Sequence, residues 1–332
     1  MEHRQLGQSD LNVPPVIFGA WAVGGWFWGG QDDADSIRAI HAALDAGINC
    51  IDTAPVYGMG HSEEVVGKAI AGRRNEVLLA TKCGLRWDTP GEGSNPWTYK
   101  GLDGSEKTVV RNLHKAAIIA EVEQSLQRLG TDVIDLYQCH WPDPSAPIAE
   151  TMEALVTLKQ QGKIRAIGVS NFTAAMMAEC LRHGPLASDQ PPYSLLRRDI
   201  EADVLPFCRE HNVGVIVYSP LEQGMLTGKV TVDRKFVEGD YRAGRPWFQP
   251  VNRQRVLDAL EQVKPIAAAH KATLGQVAIA WIVAQPGVTA AIVGARNPQQ
   301  ARENAQAADI RLSADEVQAI RNVFDALGKP VA

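Results

Sequence analysis

Short aliphatic runs alternate along the chain with longer stretches in which apolar positions recur every three or four residues. The runs are residues 16–19, 49–52, 77–81, 133–138, 166–169, 188–190, 213–218 and 291–293. Their near-continuous apolar character predicts parallel strands covered on both faces. The longer stretches predict helices over 33–46, 63–71, 116–129, 148–161, 174–182, 200–210, 253–270 and 298–307. In the third of these, Ile118, Val122, Leu126 and Leu129 share one helical face.

Eight strands alternating with eight helices predict a (β/α)8 TIM barrel, with an open doubly wound sheet as the alternative. No linker or shift of composition divides residues 1–332, which favours a single domain. A turn at Gly7–Asp10 suggests an N-terminal hairpin before the barrel, and extra helices are expected over 273–284 and 314–327. Two connections, 84–115 and 219–252, are too long for simple links. Both leave the C-terminal ends of strands, where such barrels place their active sites, so they read as lids or binding loops.

Composition narrows the choice of function. A net charge of −5 with both signs mixed leaves no basic stripe for nucleic acid. The most apolar long stretch, 276–295, is broken by Gln285-Pro286-Gly287 and is not read as a membrane span. Five scattered cysteines without a CxxC pair suit reduced thiols in a cytoplasmic protein. Metal and serine-hydrolase motifs are absent. Gly58-Met59-Gly60-His61-Ser62-Glu63 starts like a dinucleotide fingerprint, but Glu63 stands where the third glycine belongs.

The chemistry gathers at three strand ends. The second strand ends in Asp52, the third delivers Lys82, the fourth delivers His140, and Tyr57 follows the second strand by a short loop. Singly, each has an ordinary structural reading: a loop cap, a solvated lysine, a core histidine, a packed tyrosine. On consecutive strands of one barrel they converge on one rim. Carbonyl reduction needs a hydride at carbon and a proton at oxygen. A phenol is a weak acid near neutrality, with a reference pKa of about 10. An ammonium about 4 Å away favours phenolate by about 4 kcal/mol at an effective dielectric near 20. That is worth about three pKa units, so Lys82 is expected to bring Tyr57 into working range. Asp52 supplies the counter-charge that Lys82 needs, and His140 orients the carbonyl or passes protons.

Other strand ends suggest where a nicotinamide dinucleotide would lie. Ser170, Asn171 and Gln190 can address a carboxamide, and the ring of Tyr218 can stack on nicotinamide. The stretch SPLEQGMLTGK supplies glycines for close backbone approach to phosphate and Lys229 as a counter-charge. After the last strand, Arg296 suits a 2′-phosphate. Gln300, Glu303 and Asn304 recur on one helical face and can address ribose and adenine. The plain alternative is a helix start with Asn297 as cap and Pro298 behind it.

Together the segments LGQSDLNVPPVIFGAW, DTAPVYGMGHSEEVVGKAI, ATK, DVIDLYQCHWPD, GKIRAIGVSNF, YSPLEQGMLTGK and GARNPQQARENA resemble the aldo-keto reductase family over almost the whole chain. The resemblance implies an NADP(H)-dependent barrel with Asp52, Tyr57, Lys82 and His140 as catalytic tetrad and Tyr57 as proton donor. It also implies cofactor contacts at Ala20, Trp21, Asp52, Ser170, Asn171, Gln190, Tyr218, Ser219, Pro220, Leu221, Gly224, Lys229, Gly294, Arg296, Gln300, Glu303 and Asn304. The chain departs from the animal branch of that family. It has Gly294-Ala295 where that branch carries a Lys-Ser pair, and Gln300 where it carries an Arg. Arg296 is then left to carry 2′-phosphate recognition. The shorter C-terminus is more similar to bacterial reductases and potassium-channel β subunits.

Seven of eight tryptophans, Trp21, Trp26, Trp28, Trp87, Trp97, Trp141 and Trp247, fall in predicted loops. Trp21, Trp87 and Trp141 follow strands that carry the proposed chemistry and predict an aromatic-walled pocket for a small-molecule carbonyl substrate. The expected function is NADPH-dependent reduction of small aldehydes or ketones. The alternatives are a cofactor-sensing regulatory protein with slow turnover and a cofactor-free barrel isomerase or lyase. Nothing in the pattern points to nucleic acid, membrane or a particular oligomer.

Overall fold

Every predicted barrel strand forms, within two residues of its expected bounds at either end. A computed structural model describes residues 1–25, 31–89, 91–100, 104–237 and 240–331. The chain opens with an antiparallel hairpin, β1 (Arg4–Gln5) and β2 (Asn12–Val13). It continues through β3 (Val16–Gly19), β4 (Cys50–Asp52) and β5 (Leu78–Cys83). A separate antiparallel sheet follows, built of β6 (Leu85–Arg86), β7 (Ser94–Lys100) and β8 (Glu106–Arg111). Then come β9 (Ile134–Cys139), β10 (Ile164–Ser170), β11 (Ser188–Gln190), β12 (Gly214–Val217) and β13 (Ala290–Gly294). The parallel strands close in the order β10-β11-β12-β13-β3-β4-β5-β9, a (β/α)8 TIM barrel.

The helices are α1 (Asp33–Asp45), α2 (His61–Ile70), α3 (Lys115–Leu129), α4 (Ile148–Gln160), α5 (Ala174–His183), α6 (Val204–Glu210), α7 (Pro250–Ala269), α8 (Leu274–Val283), α9 (Pro298–Gln306) and α10 (Ala314–Leu327). Local chemistry sets several of their ends. The Asp35 N–H donates to Asp32 at the start of α1, and Thr273 with Gln276 and Ser313 with Glu316 form capping boxes on α8 and α10. Among the described residues no single helix is long and apolar enough to cross a membrane. The apolar helix α8 is buried from Gly275 to Val283 and bends by 84° from α7.

Strand alternation divides the barrel interior into layers. The lower layer is apolar: Ile17, Cys50, Ala80, Leu136, Ala166, Ile216, Ala290 and Ile292 pack together. Leu6, Leu11 and Val13 of the hairpin plug it from below. On β4, β5, β9 and β11 the next inward position toward the strand C-terminus is polar: Asp52, Lys82, Gln138 and Gln190, all buried. A cleft of about 460 Å³ lies at the opposite end of the barrel. Its cations are already committed, since Arg74 and Arg165 both pair with Asp135. It reads as a stabilising network.

The two long connections carry more structure than expected. The first holds the β6–β8 sheet, so Trp97 sits in a strand. The second holds a kinked pair of turns at Glu222–Thr227, broken at Gln223 and Gly224, and single-turn helices at Tyr241–Gly244 and Pro246–Phe248, and Trp247 lies in the last. Trp21 likewise sits in a single-turn helix, Trp21–Gly24. Trp26 and Trp28 fall outside the described residues. All five cysteines are buried free thiols.

Candidate active site

Asp52 ends β4, and Lys82 is the penultimate residue of β5. His140 follows the last residue of β9. In the strand register Asp52 stands opposite Ala80 and Lys82 opposite Gln138, so Asp52, Lys82 and His140 step up by two residues from strand to strand along one rim. The Lys82 Nζ donates to Asp52 Oδ1 at 2.6 Å, to the Thr53 carbonyl at 2.9 Å and to Tyr57 Oη at 3.4 Å. The same ammonium stands 5.1 Å from the centre of the Tyr57 ring. The His140 ring meets Tyr57 edge-on, with centroids 5.7 Å apart. The four residues read from three strand ends and one loop therefore form one cluster.

Tyr57 is held in place by a close backbone approach. A Cβ on Gly24 would come within 2.6 Å of the Tyr57 carbonyl carbon, and one on Gly58 would come within 2.4 Å of the Gly24 oxygen. Gly58 also has φ +65°, where L side chains are strained. Glycines at both positions let the loop after β4 press against the turn after β3.

The electrostatics differ from the sequence-based expectation in one respect. Burial pushes the Tyr57 phenol well above its ordinary range, and the Asp52 carboxylate adds to the shift. Lys82 is expected to bring the phenol down, but in the protein alone desolvation outweighs it. Burial also lowers Lys82, partly offset by the pull of Asp52. His140 is held well below the usual imidazole range, first by burial and then by the Lys82 charge. Near neutrality the site therefore presents a protonated phenol and a neutral imidazole.

The residues expected to meet a cofactor line the same end of the barrel. Ser170 Oγ donates to the Gln190 carbonyl at 2.7 Å, and Asn171 Nδ2 donates to the His140 carbonyl at 3.2 Å. Tyr218 Oη donates to Asn171 Oδ1 at 2.9 Å. Asn171 and Ser219 hold positive φ, at 63° and 57°, the kind of strained backbone that clusters at functional sites. Ala20 donates its N–H to the Asp52 carbonyl. Trp21 lies beside Tyr57, with ring centroids 6.4 Å apart. Ser219 Oγ accepts from Gln223, Pro220 is buried, Leu221 packs against the core, and Gly224 has open space where a Cβ would stand.

Farther round the rim, Lys229 and Glu303 approach to 3.9 Å. Asn304 Nδ2 donates to the Gly294 carbonyl. Arg296 is exposed, and its N–H donates to Gln300 Oε1. Gln300 thus shapes the turn that presents Arg296, and the Gln300 N–H is capped by Asn297. The helix-start reading of this segment is therefore what the structure shows, with Asn297 as cap and Pro298 behind it.

Trp87 and Trp141 join Tyr57 in one apolar cluster around Ala54, Val56, Leu85 and Val109. That cluster also contains Trp97 and Tyr99 of β7, and Tyr241 packs on Trp21 with centroids 5.5 Å apart. These three aromatics lie far off in the chain, and only the fold reveals them. Gln138 is a further residue that sequence reasoning passed over. Its Nε2 donates to Asp52 Oδ2 at 3.2 Å. A glutamine two positions before His140, on the inward register of an apolar strand, was the available signal.

Comparison with known proteins shows the family and the fold. The model of the aldo/keto reductase family matches residues 15–325. The NADH-specific methylglyoxal reductase of Escherichia coli (strain K12) is 41% identical over 333 residues, covering 98% of this chain and 99% of its own. The structure of a glycerol dehydrogenase from Gluconobacter oxydans superposes with a TM-score of 0.88 at 40% identity, covering 100% of this chain and 98% of the other. An aldo/keto reductase from Klebsiella pneumoniae, solved in complex with NADP and acetate, gives a TM-score of 0.73 at 30% identity, with coverages of 98% and 96%. A match this long, over a closed barrel with the four polar groups gathered at its rim, makes the chain a member of the aldo/keto reductase family.

Proposed function

We propose that this protein reduces small aldehydes or ketones to alcohols, with NADPH as electron source. The observation that carries the reading is the Lys82 ammonium, hydrogen-bonded to both Asp52 and Tyr57 beside a neutral His140. A reduced nicotinamide, when bound, supplies the hydride. The residues present suit such a group. Ser170, Asn171, Gln190 and Tyr218 offer donors, acceptors and a flat ring, while Gly224, Lys229 and Arg296 offer open backbone and positive charge.

Tyr57 Oη gives its proton to the carbonyl oxygen as the carbonyl carbon receives hydride. The phenolate left behind is stabilised by the Lys82 ammonium at hydrogen-bond distance and regains its proton from water. Stabilising a charge that exists only during reaction lowers the barrier without weakening the ground state. The raised phenol pKa keeps the donor loaded at neutral pH. Neutral His140 donates a hydrogen bond to the carbonyl and orients it. Asp52 keeps Lys82 charged in a buried setting. Trp21, Trp87 and Trp141 form walls that exclude water from the reacting atoms.

The aromatic wall suits small carbonyl compounds. Two relatives are named for methylglyoxal and glycerol, each a three-carbon molecule. A second reading, with NADH in place of NADPH, is favoured by the name of the Escherichia coli relative. One steady-state experiment tests both. Oxidation of NADPH and of NADH is followed with methylglyoxal, glyceraldehyde and 4-nitrobenzaldehyde. The expected result is turnover with a higher kcat/KM for NADPH. Preference for NADH moves the protein to the second reading. No oxidation of either cofactor by any carbonyl overturns the reductase.

A further inference from the structure

The tetrad leaves one oxygen of its carboxylate unexplained. Asp52 Oδ1 faces Lys82, but Oδ2 points into the barrel. There it accepts from Gln190 Nε2 at 2.9 Å and from Gln138 Nε2 at 3.2 Å. Gln190 Nε2 also donates to Gln138 Oε1 at 3.1 Å. The two amides and the carboxylate form a closed triangle, with both glutamines buried. Gln138 donates with one end of its amide and accepts with the other, so neither glutamine can flip without losing a bond.

We infer that Gln138 is a positioning residue, holding Asp52 Oδ2 and the Gln190 amide so that Asp52 keeps Lys82 in contact with Tyr57. The inference rests on the tetrad reading above. Three features support it. Gln138 is the direct strand neighbour of Lys82 across β5 and β9. A polar side chain fully buried in an apolar strand costs stability unless it is paired, and its amide oxygen and nitrogen both lie at hydrogen-bond distance within this triangle. The barrel also makes room for it. A Cβ on Gly168, its neighbour across β10, would stand 2.8 Å from Gln138 Cγ and 2.7 Å from Ser188 Oγ. Gly168 has no positive φ that calls for glycine; space for these two side chains is what its missing Cβ provides.

The triangle also assigns an orientation. Asp52 and Gln138 take the nitrogen end of Gln190, which leaves its carbonyl end to accept from an approaching carboxamide. The mechanism needs Gln190 for the cofactor, and Gln138 then remains the constant donor to Asp52.

The test compares Gln138→Met, which keeps the volume and removes both polar ends, in the wild-type and Asp52→Asn backgrounds. Turnover is measured with NADPH and methylglyoxal or 4-nitrobenzaldehyde, and NADPH binding by tryptophan fluorescence. A crystal of Gln138→Met without cofactor provides a readout independent of activity. Gln138→Met is expected to lower kcat about tenfold, with KM for the carbonyl changed less than about twofold. In the Asp52→Asn background the same change should cost less than about twofold, because the group it acts through is already altered. The crystal should show the residue 52 carboxylate turned and Lys82 drawn away from Tyr57. Equal losses in both backgrounds, or an unmoved Asp52–Lys82–Tyr57 geometry, overturn the inference. If Gln138→Met does not fold, Gly168→Ala, which crowds the same amide without removing it, is read by the same criteria. Tyr57→Phe is measured alongside. Full turnover in that variant refutes the tetrad itself, whereas loss in Tyr57→Phe with none in Gln138→Met refutes only the positioning role.

Discussion

The Lys82 ammonium stands 3.4 Å from the Tyr57 hydroxyl; Lys82 is fully buried and Tyr57 half-buried. Within that contact two effects oppose each other. Burial keeps the phenol protonated, and the ammonium waits to receive the charge that proton loss creates. On the proposed mechanism, a donor that stays loaded and a product anion that is stabilised make a general acid of a group too weak to act alone.

Removing the hydroxyl should therefore spare binding and stop chemistry. Tyr57→Phe is expected to bind NADPH within about twofold of the parent while kcat falls on the order of a hundred- to ten-thousand-fold. Fluorescence titration and steady-state oxidation of NADPH measure the two. Unchanged kcat would remove Tyr57 from the acid role.

His140 should not titrate in the working range. Its imidazole is held well below the usual value by burial and by Lys82, so it stays neutral as pH falls through the ordinary histidine value of about 6.5. The profile of kcat is expected to be flat from about pH 6 to about pH 8. An inflection near 6.5 that vanishes in His140→Asn would show a charged imidazole at work.

On the proposed reading, Arg296 sets the preference between the two dinucleotides. The residue is exposed at the turn that leads into α9. Arg296→Ala is expected to raise the Kd of NADPH about tenfold or more and to leave that of NADH within about twofold. Equal weakening of both, measured by fluorescence quenching, refutes the 2′-phosphate assignment.

Glu121 on α3 carries a stability cost that depends on pH. Burial pushes its carboxyl up to about 8, opposed by Arg86 and by the Gly84 N–H it accepts. The folded protein holds this proton where the unfolded chain, with a pKa of about 4.3, releases it. The contribution to stability is full below the unfolded value and is lost as pH rises from there toward about 8. Glu121→Gln keeps an acceptor for Gly84 and has no charge to bury. The variant should melt higher than the parent at about pH 8.5 and lose part of the decline seen from about pH 5 upward. A parallel shift at every pH would refute this account.

Much of the barrel was legible because its strands are apolar on both faces and end abruptly in polar residues. Asp52, Lys82 and His140 were found as strand ends, and Tyr57 by its place just after one. The sheet β6–β8 was not, because its segment is rich in Gly, Pro and Trp and lacks sustained alternation, so it reads as a loop. Trp97, Tyr99 and Tyr241 reach the site through that sheet and through the single-turn helices after β12, contacts between residues distant in the chain.

The succession of strands and helices and the residue types at the strand ends are written in local patterns of side chains, which act over a few residues. Closure of the barrel is not: the same patterns leave an open sheet as the alternative, and the pairing of β13 with β3 decides between them. Which charge prevails at Tyr57 is not written there either. That depends on how much water the folded site excludes, and desolvation is a property of the whole enclosure. The role of Gln138 is of the same kind: in the chain it is one polar residue in an apolar run, and only barrel closure brings it against Asp52 and Gln190.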